Sequence, residues 1–221
     1  MPRAKKAAAP PVPRRRRDPE EARAEILDAT AKLLAHHPPD AIGLKEIARA
    51  VGVSHALISH YFGTYTDLVD AVLERRIRAL REAALAKLRD PVAAFSSGEL
   101  IEALFAMLSD PVYIRLSIWA LAGERPSGVA SFPMRDQGMR VFSEALTTRI
   151  RRERPDLEAG PLRQRVELGL LTANTAAYGY MIGRKAWMGA LGKEPSAAMD
   201  RRFREALDTM VRSFVVGPEE G

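Results

Sequence analysis

The chain has 221 residues, 47% of them apolar, enough for one domain or for a small head on a larger body. It has no cysteine, which excludes disulfide frameworks, thiolate metal sites and cysteine nucleophiles. No stretch approaches the ~18 uncharged apolar residues of a membrane span. The formal net charge of +6 is local. Arg3, Lys5, Lys6, Arg14, Arg15, Arg16 and Arg17 put seven basic groups and no acid in residues 1–17, so the remainder carries 27 basic against 28 acidic residues.

In chain order, that arm comes first. It also holds Pro2, Pro10, Pro11 and Pro13, cannot bury a core, and reads as a disordered, polyanion-seeking or simply solvated tail. No apolar h-region follows its charges, so it does not read as a secretory signal. Order is expected to begin at Asp18-Pro19-Glu20-Glu21, where an aspartate cap, a proline suited to the first helical position and an early carboxylate coincide. Ala22, Ile26, Ala29 and Leu33 then mark one face of a helix that Pro38-Pro39-Asp40 stops.

Two short helices are expected between Leu44 and Phe62, then a long one over 66–89, whose apolar series runs Val69, Leu73, Ile77, Leu80, Ala84, Leu88. Further helical segments read at about 98–109, 112–122, 134–153, 161–191 and 197–215, punctuated by Asp90-Pro91, Asp110-Pro111, Arg125-Pro126 and Arg154-Pro155. There is no β-alternation of useful length and no tandem repeat. The expected fold class is all-α, with about nine helices.

The two short helices carry a helix-turn-helix spacing. Ala48 is small where the second helix crosses the first, Gly52 supplies the turn, Val53 plugs it, and Ser54 caps the next helix. Ile58 and Phe62 are then expected to point inward, which leaves His55, Ser59 and His60 mostly outward with Ala56 beside them. The two histidines are five apart and no carboxylate joins them, so a zinc site is disfavoured. An exposed helix of small, hydroxyl and imidazole groups suits a DNA major groove.

Residues 21–70 resemble the DNA-binding head of the TetR family of transcriptional regulators. The residues that carry the likeness are Ile47 through Ser54, then Ile58, His60, Tyr61, Phe62, Thr64, Asp67 and Leu68. The stretch Ile58-Ser59-His60-Tyr61-Phe62 particularly resembles the BetI branch, whose members sense choline. This chain departs from the family pattern at Gly43, Ala56, Leu57 and Ser59, and at Tyr65, where the family usually has a phosphate-touching lysine. A tyrosine hydroxyl there is expected to donate one uncharged hydrogen bond instead. The resemblance implies a helix-turn-helix domain at 18–66, a helical effector-binding and dimerisation domain at 67–216, and a flexible tail at 217–221.

Base readout is expected from Ser59, His55 and His60, with Ala56 or Leu57 against thymine methyls, Ser54 lying at the same helix end. The recognition segment holds no lysine or arginine, so attraction to phosphate must come from Lys45, Arg49 and the arm, Arg14 to Arg17 included. By resemblance Lys45, Tyr61, Thr64 and Tyr65 sit beside the DNA backbone.

In the body, Gly169, Thr172, Ala176, Gly179, Gly183, Ala186 and Ala190 recur at alternating spacings of three and four, a stripe that permits close helix approach. Met199, Phe203, Ala206, Met210 and Phe214 form an apolar stripe on the last helix. The resemblance implies that these two helices pair with their copies in a four-helix homodimer interface; packing of both stripes within one chain is the alternative.

Pocket candidates are Phe105, Met107, Tyr113, Trp119, Asn174, Tyr178, Met181 and Arg184, each also readable as helix core or, for Arg184, as a surface ion pair. Trp119, Tyr113 and Tyr178 would suit an aromatic cage for a quaternary ammonium, although a likeness confined to the head says nothing of the effector. There is no P-loop, G-x-G-x-x-G, H-E-x-x-H or G-x-S-x-G, and His36-His37 reads as a loop pair, so no catalysis, cofactor or metal is expected. The expected function is a cytoplasmic regulator, most simply a repressor. It would bind a palindromic operator as a homodimer, and a small-molecule effector would release it. A non-specific or effector-independent DNA-binding protein and a ligand-responsive activator are the alternatives.

Overall fold

The computed structural model describes residues 18–90, 96–122 and 138–217. The basic arm with Arg14 to Arg17, residues 134–137 of the expected helix, and residues 218–221 of the tail lie outside them. Nine α-helices occupy the described residues: α1 Pro19–His36, α2 Leu44–Val51, α3 His55–Phe62, α4 Tyr65–Arg89, α5 Ser97–Leu108, α6 Pro111–Ala122, α7 Gly138–Glu153, α8 Ala159–Ala190 and α9 Ala197–Val216. A 3-10 turn, Pro39–Ala41, joins α1 to α2, and no strand occurs among the described residues.

Local chemistry sets the helix ends. Asp18 Oδ1 accepts from the Glu20 N–H at 3.1 Å, with Pro19 at the first helical position of α1. Gly43 has no side chain to cap α2, so only half a capping box forms there: Glu46 Oε2 accepts the Gly43 N–H at 3.0 Å. Gly52 closes α2 at φ +73°, in the left-handed region, and its N–H and that of Val53 both donate to the Ala48 carbonyl.

One buried cluster runs from the head into the body. Ile26, Leu34, Ile47, Ile58 and Leu68 have no exposed surface, and the same cluster continues through Val72 and Leu73 of α4 to Phe105, Leu116 and Leu207. A second cluster joins Leu88 at the far end of α4 to Leu146, Ile150, Leu162, Val166 and Val215. With 25 residues, α4 is ~37 Å long and takes part in both.

The α8–α9 pair is fastened by a polar joint. Arg184 donates twice to Asp200, each at 2.6 Å, and Tyr180 Oη donates to Asp200 Oδ1 at 2.7 Å. Tyr180 stacks on Phe203 with ring centroids 4.0 Å apart, and Phe105 meets both rings edge-on. Partial burial raises the Asp200 carboxyl, but the bonds from Arg184 and Tyr180 outweigh it and hold the group below its ordinary 3.8. A depressed carboxylate contributes stability above its unfolded value and loses it as pH falls through its folded value. Asp200→Asn is therefore expected to lose about 1–2 kcal/mol of unfolding free energy at pH 7, a figure discounted because about a third of Arg184 is exposed. In chemical denaturation, the gap to wild type should close below pH 3.8.

Candidate nucleic-acid interface and ligand cavity

The turn and its plug fix how α3 is presented. Ile58 is wholly buried and Phe62 is 8% exposed, and the Arg23 guanidinium lies 5.1 Å from the Phe62 ring centre. Val53 is half-buried beneath the turn, and Ser54 Oγ accepts the Leu57 N–H at 3.2 Å. With that face held inward, His55, Ala56 and His60 are exposed, while Leu57, Ser59 and Tyr61 are half-buried. His60 leans edge-on against Tyr61, centroids 5.6 Å apart. Lys45 and Arg49, one turn apart on α2, are exposed and make no ion pair among the described residues.

Two residues expected at phosphates have other partners. Tyr65 Oη donates to the Pro39 carbonyl at 2.7 Å, so its one proton ties the start of α4 to the α1–α2 connection. Thr64 closes a full capping box with Asp67. Its N–H and its hydroxyl both donate to Asp67 Oδ2, at 3.0 and 2.6 Å, and its Oγ accepts the Asp67 N–H at 3.1 Å. Neither side chain keeps a proton for a phosphate while these bonds hold.

Helix α6 bridges head and body, a role that the sequence alone did not disclose because Asp110-Pro111 served there only as punctuation. Asp110 Oδ1 caps α6 by accepting the N–H groups of Val112 and Tyr113 at 2.8 and 3.1 Å, and Oδ2 pairs with Arg76 of α4. One turn on, Arg115 donates to the Leu34 and His37 carbonyls at the end of α1, at 2.6 and 3.3 Å. Trp119 Nε1 then donates to Asp40 Oδ1 at 2.9 Å.

Within the body lies a cavity of about 710 Å³, inside the ~300–1,000 Å³ span of small-molecule sites. Its walls come from α4 (Ile77, Arg81, Ala84), α5 (Leu100, Leu104), α7 (Phe142, Leu146), α8 (Leu170, Ala173) and α9 (Asp208, Val211). Met107, Tyr113 and Asn174 of the expected set line it; Phe105, Trp119, Tyr178, Met181 and Arg184 do not. Each exception has a physical reason. Phe105 packs into the aromatic trio with Tyr180 and Phe203, and Met181 packs on the main core. Trp119 is drawn to Asp40, and Arg184 is held by Asp200. Tyr178 meets Tyr113, their hydroxyls 2.9 Å apart. Burial raises both hydroxyls above the ordinary phenol value, and at Tyr113 the Tyr178 neighbour adds to the shift. The three aromatics expected to cage a cation therefore do not converge. One Asn174 amide proton is already used, since Nδ2 donates to the Leu170 carbonyl at 2.8 Å.

The small-residue stripe is divided between two environments. Gly169 is buried against α9 of the same chain, where an added Cβ would lie 2.8 Å from Val215. Gly183 is covered by Trp187 of its own helix, whose indole donates to the Gly179 carbonyl at 3.2 Å. Ala176 is half-buried on the core, and Phe203 lies inside the aromatic trio. These four do not form the open face. Thr172, Gly179 and Ala186 are exposed, beside Leu168, Leu171 and Ile182 of α8 and Met210 and Phe214 of α9, the large side chains 48–60% exposed.

The fold and the presented helix define a helix-turn-helix head carried on a helical body with a cavity. The model of the family described as "Bacterial regulatory proteins, tetR family" matches residues 26–72. The HTH-type transcriptional regulator BetI of Cronobacter sakazakii is 30% identical over 144 residues, which cover 62% of this chain and 69% of that one. BetI of Rhizobium meliloti is 34% identical over 82 residues, only 37% of this chain and 39% of its own length. Two solved structures share the fold. Salmonella enterica GusR has a TM-score of 0.61 at 21% identity, with 90% of this chain and 98% of that chain covered. A tetR-family regulator of Streptomyces coelicolor has a TM-score of 0.56 at 20% identity, with 91% and 92% covered. The chain belongs to the TetR family of DNA-binding, helix-turn-helix transcriptional regulators. No helix among the described residues is long and apolar enough to cross a membrane.

Tyr65→Phe separates the two roles of that hydroxyl. Loss of the bond to Pro39 is expected to cost about 1 kcal/mol of stability and to leave DNA affinity and its salt dependence unchanged. A variant as stable as wild type but weakened on DNA would assign the hydroxyl to a phosphate.

Proposed function

We propose that the protein is a repressor that binds an inverted-repeat operator as a homodimer and is released when a small molecule enters the cavity. The observation that carries this reading is the exposure of His55, Ala56 and His60 on a helix whose inner face is locked by Ile58 and Phe62. The imidazoles and Ser59 offer hydrogen-bond groups to base edges, and Ala56 offers a methyl to thymine. Lys45 and Arg49 flank this helix with unpaired charge, and the arm adds seven more basic groups. Phosphate attraction from these groups supplies affinity, and α3 supplies discrimination.

A two-fold DNA site requires two heads held at a fixed spacing. The exposed strip of Leu168, Leu171, Ile182, Met210 and Phe214 supports self-association through α8 and α9. These side chains lie on the solvent side of the two helices, where a copy of the same pair would cover them. Replacing Met210 and Phe214 together by glutamate is expected to yield monomers in light scattering and to weaken operator binding at least about tenfold, because both half-sites must be engaged at once.

Release follows from α4. Ile77, Arg81 and Ala84 face the cavity, while the first turn of the same helix abuts α3. A ligand that favours one position of α4 changes the separation of the two heads, and the ligand acts only by the difference in its affinity for the two positions.

Deleting residues 1–17 and substituting His60 test the two halves of recognition. The deletion should flatten the salt dependence of binding by about 0.9 in logarithmic slope for each phosphate the arm neutralises, with sequence preference kept. His60→Ala should instead lower operator affinity by about 1–3 kcal/mol while leaving random-DNA affinity nearly constant. Equal salt slopes for full-length and shortened protein would assign attraction to the head alone. Equal losses on operator and random DNA would remove His60 from readout.

A further inference from the structure

One charged group in the cavity wall differs from the others. Arg81 is paired with Glu74 at 3.1 Å, Glu153 with Arg149 at 2.9 Å, and Arg154 with Asp156 at 2.7 Å. Arg212 is engaged as well. Asp208, on the inner side of α9 beside fully buried Leu207, has no ion pair among the described residues, and its Oδ1 is buried with no hydrogen-bond partner among them. Gly98 of α5 lies beside this carboxylate: an added Cβ there would lie 3.6 Å from Oδ2 and 3.5 Å from Ser96 Oγ, and would narrow the approach. Leu100, Leu104, Phe142 and Val211 line the same cavity and supply apolar wall.

A buried carboxylate oxygen without a donor bears its full desolvation cost, and a partner from outside the chain would relieve it. Leu100, Leu104, Phe142 and Val211 cannot complete it, and no hydroxyl or guanidinium of the described wall reaches Oδ1. We infer that the cavity takes an amphipathic amine: an apolar body held among Leu100, Leu104 and Phe142, with a protonated nitrogen that donates a charge-assisted hydrogen bond to Asp208. This rests on the reading of the cavity as the effector site and gives that site its chemical class. A carboxylate or phosphate placed against Asp208 meets like charge and leaves Oδ1 without a donor. A neutral alcohol satisfies the oxygen without neutralising it. A quaternary ammonium neutralises it without an N–H to donate.

The test uses three probes of one shape: 4-phenylbutylamine, 4-phenylbutanol and 4-phenylbutyrate. Each is titrated calorimetrically into the full-length protein without DNA. The amine is expected to bind at least about tenfold tighter than the alcohol, the ratio appropriate to one charge-assisted hydrogen bond in an apolar site, and the butyrate weakest of all. Asp208→Asn, of the same size but uncharged, is expected to erase the preference between amine and alcohol. Leu100→Trp, which narrows the apolar wall and leaves Asp208 in place, is expected to weaken amine binding.

An amine that binds no better than the alcohol, including no binding by any probe, overturns the inference. So does a preference that survives Asp208→Asn, or amine binding unaffected by Leu100→Trp. Operator release is read separately, by adding the same probes to a protein–DNA complex. An amine that binds the cavity as described but does not release DNA upholds the assignment of Asp208 and counts against effector release. Release by the alcohol or the butyrate with no amine preference does the reverse.

Discussion

The burial of Ile58 and Phe62 beneath the Gly52 turn is the constraint on which the rest depends. A helix as short as α3 has no stability of its own and is oriented only by what its inner face touches. With Ile58 wholly buried and Phe62 nearly so, there is one rotation of α3 about its axis that satisfies the core, and that rotation sends His55, Ala56 and His60 outward. The left-handed Gly52 and the half-buried Val53 set the angle between α2 and α3, and therefore set which groove-sized surface the head presents. Gly43 contributes less than a threonine would, since it leaves one of the two capping-box bonds of α2 unmade.

From this head the mechanical path into the body runs along two helices. Tyr65 anchors the first turn of α4 to Pro39, and a dozen residues later the same helix forms the wall of the cavity. Helix α6 is tied to α4 by Arg76–Asp110 and to the end of α1 and the following turn by Arg115 and Trp119. Head and body are thus coupled through hydrogen-bonded and packed contacts that are specific in geometry, the kind of element that shifts between discrete positions rather than deforming smoothly.

The helices themselves were legible because proline and aspartate mark most of their ends and because the apolar spacing stays near 3.6. The head was legible residue by residue, since a turn glycine, a cap and two inward side chains leave few alternatives. The body was less so. Helices α6, α8 and α9 carry large apolar side chains both buried and exposed, and periodicity does not say which face meets core, cavity or another chain. Trp119 and Tyr178 looked like ligand cage, yet each carries a polar tip that found a protein partner, Asp40 and Tyr113. The small-residue stripe has an average spacing of 3.5, so on a straight helix it drifts by ~20° per heptad. Gly169 is buried against α9, Ala176 and Gly183 are half-buried and Ala190 is exposed, whereas Thr172, Gly179 and Ala186, offset by one turn, are exposed throughout. Asp208 escaped notice because a single carboxylate on an amphipathic helix reads as surface unless its neighbours are known.

The central claim is that α3 presents imidazole and small groups to base edges from a rigid seat. It is tested most directly by selecting bound fragments from random duplexes with the full-length protein, followed by footprinting of the enriched pool. The expected result is an enriched inverted repeat whose half-site centres lie about one helical turn, or a multiple of it, apart, with protection confined to it. Enrichment of no sequence, with protection spread evenly along the fragments, would contradict it.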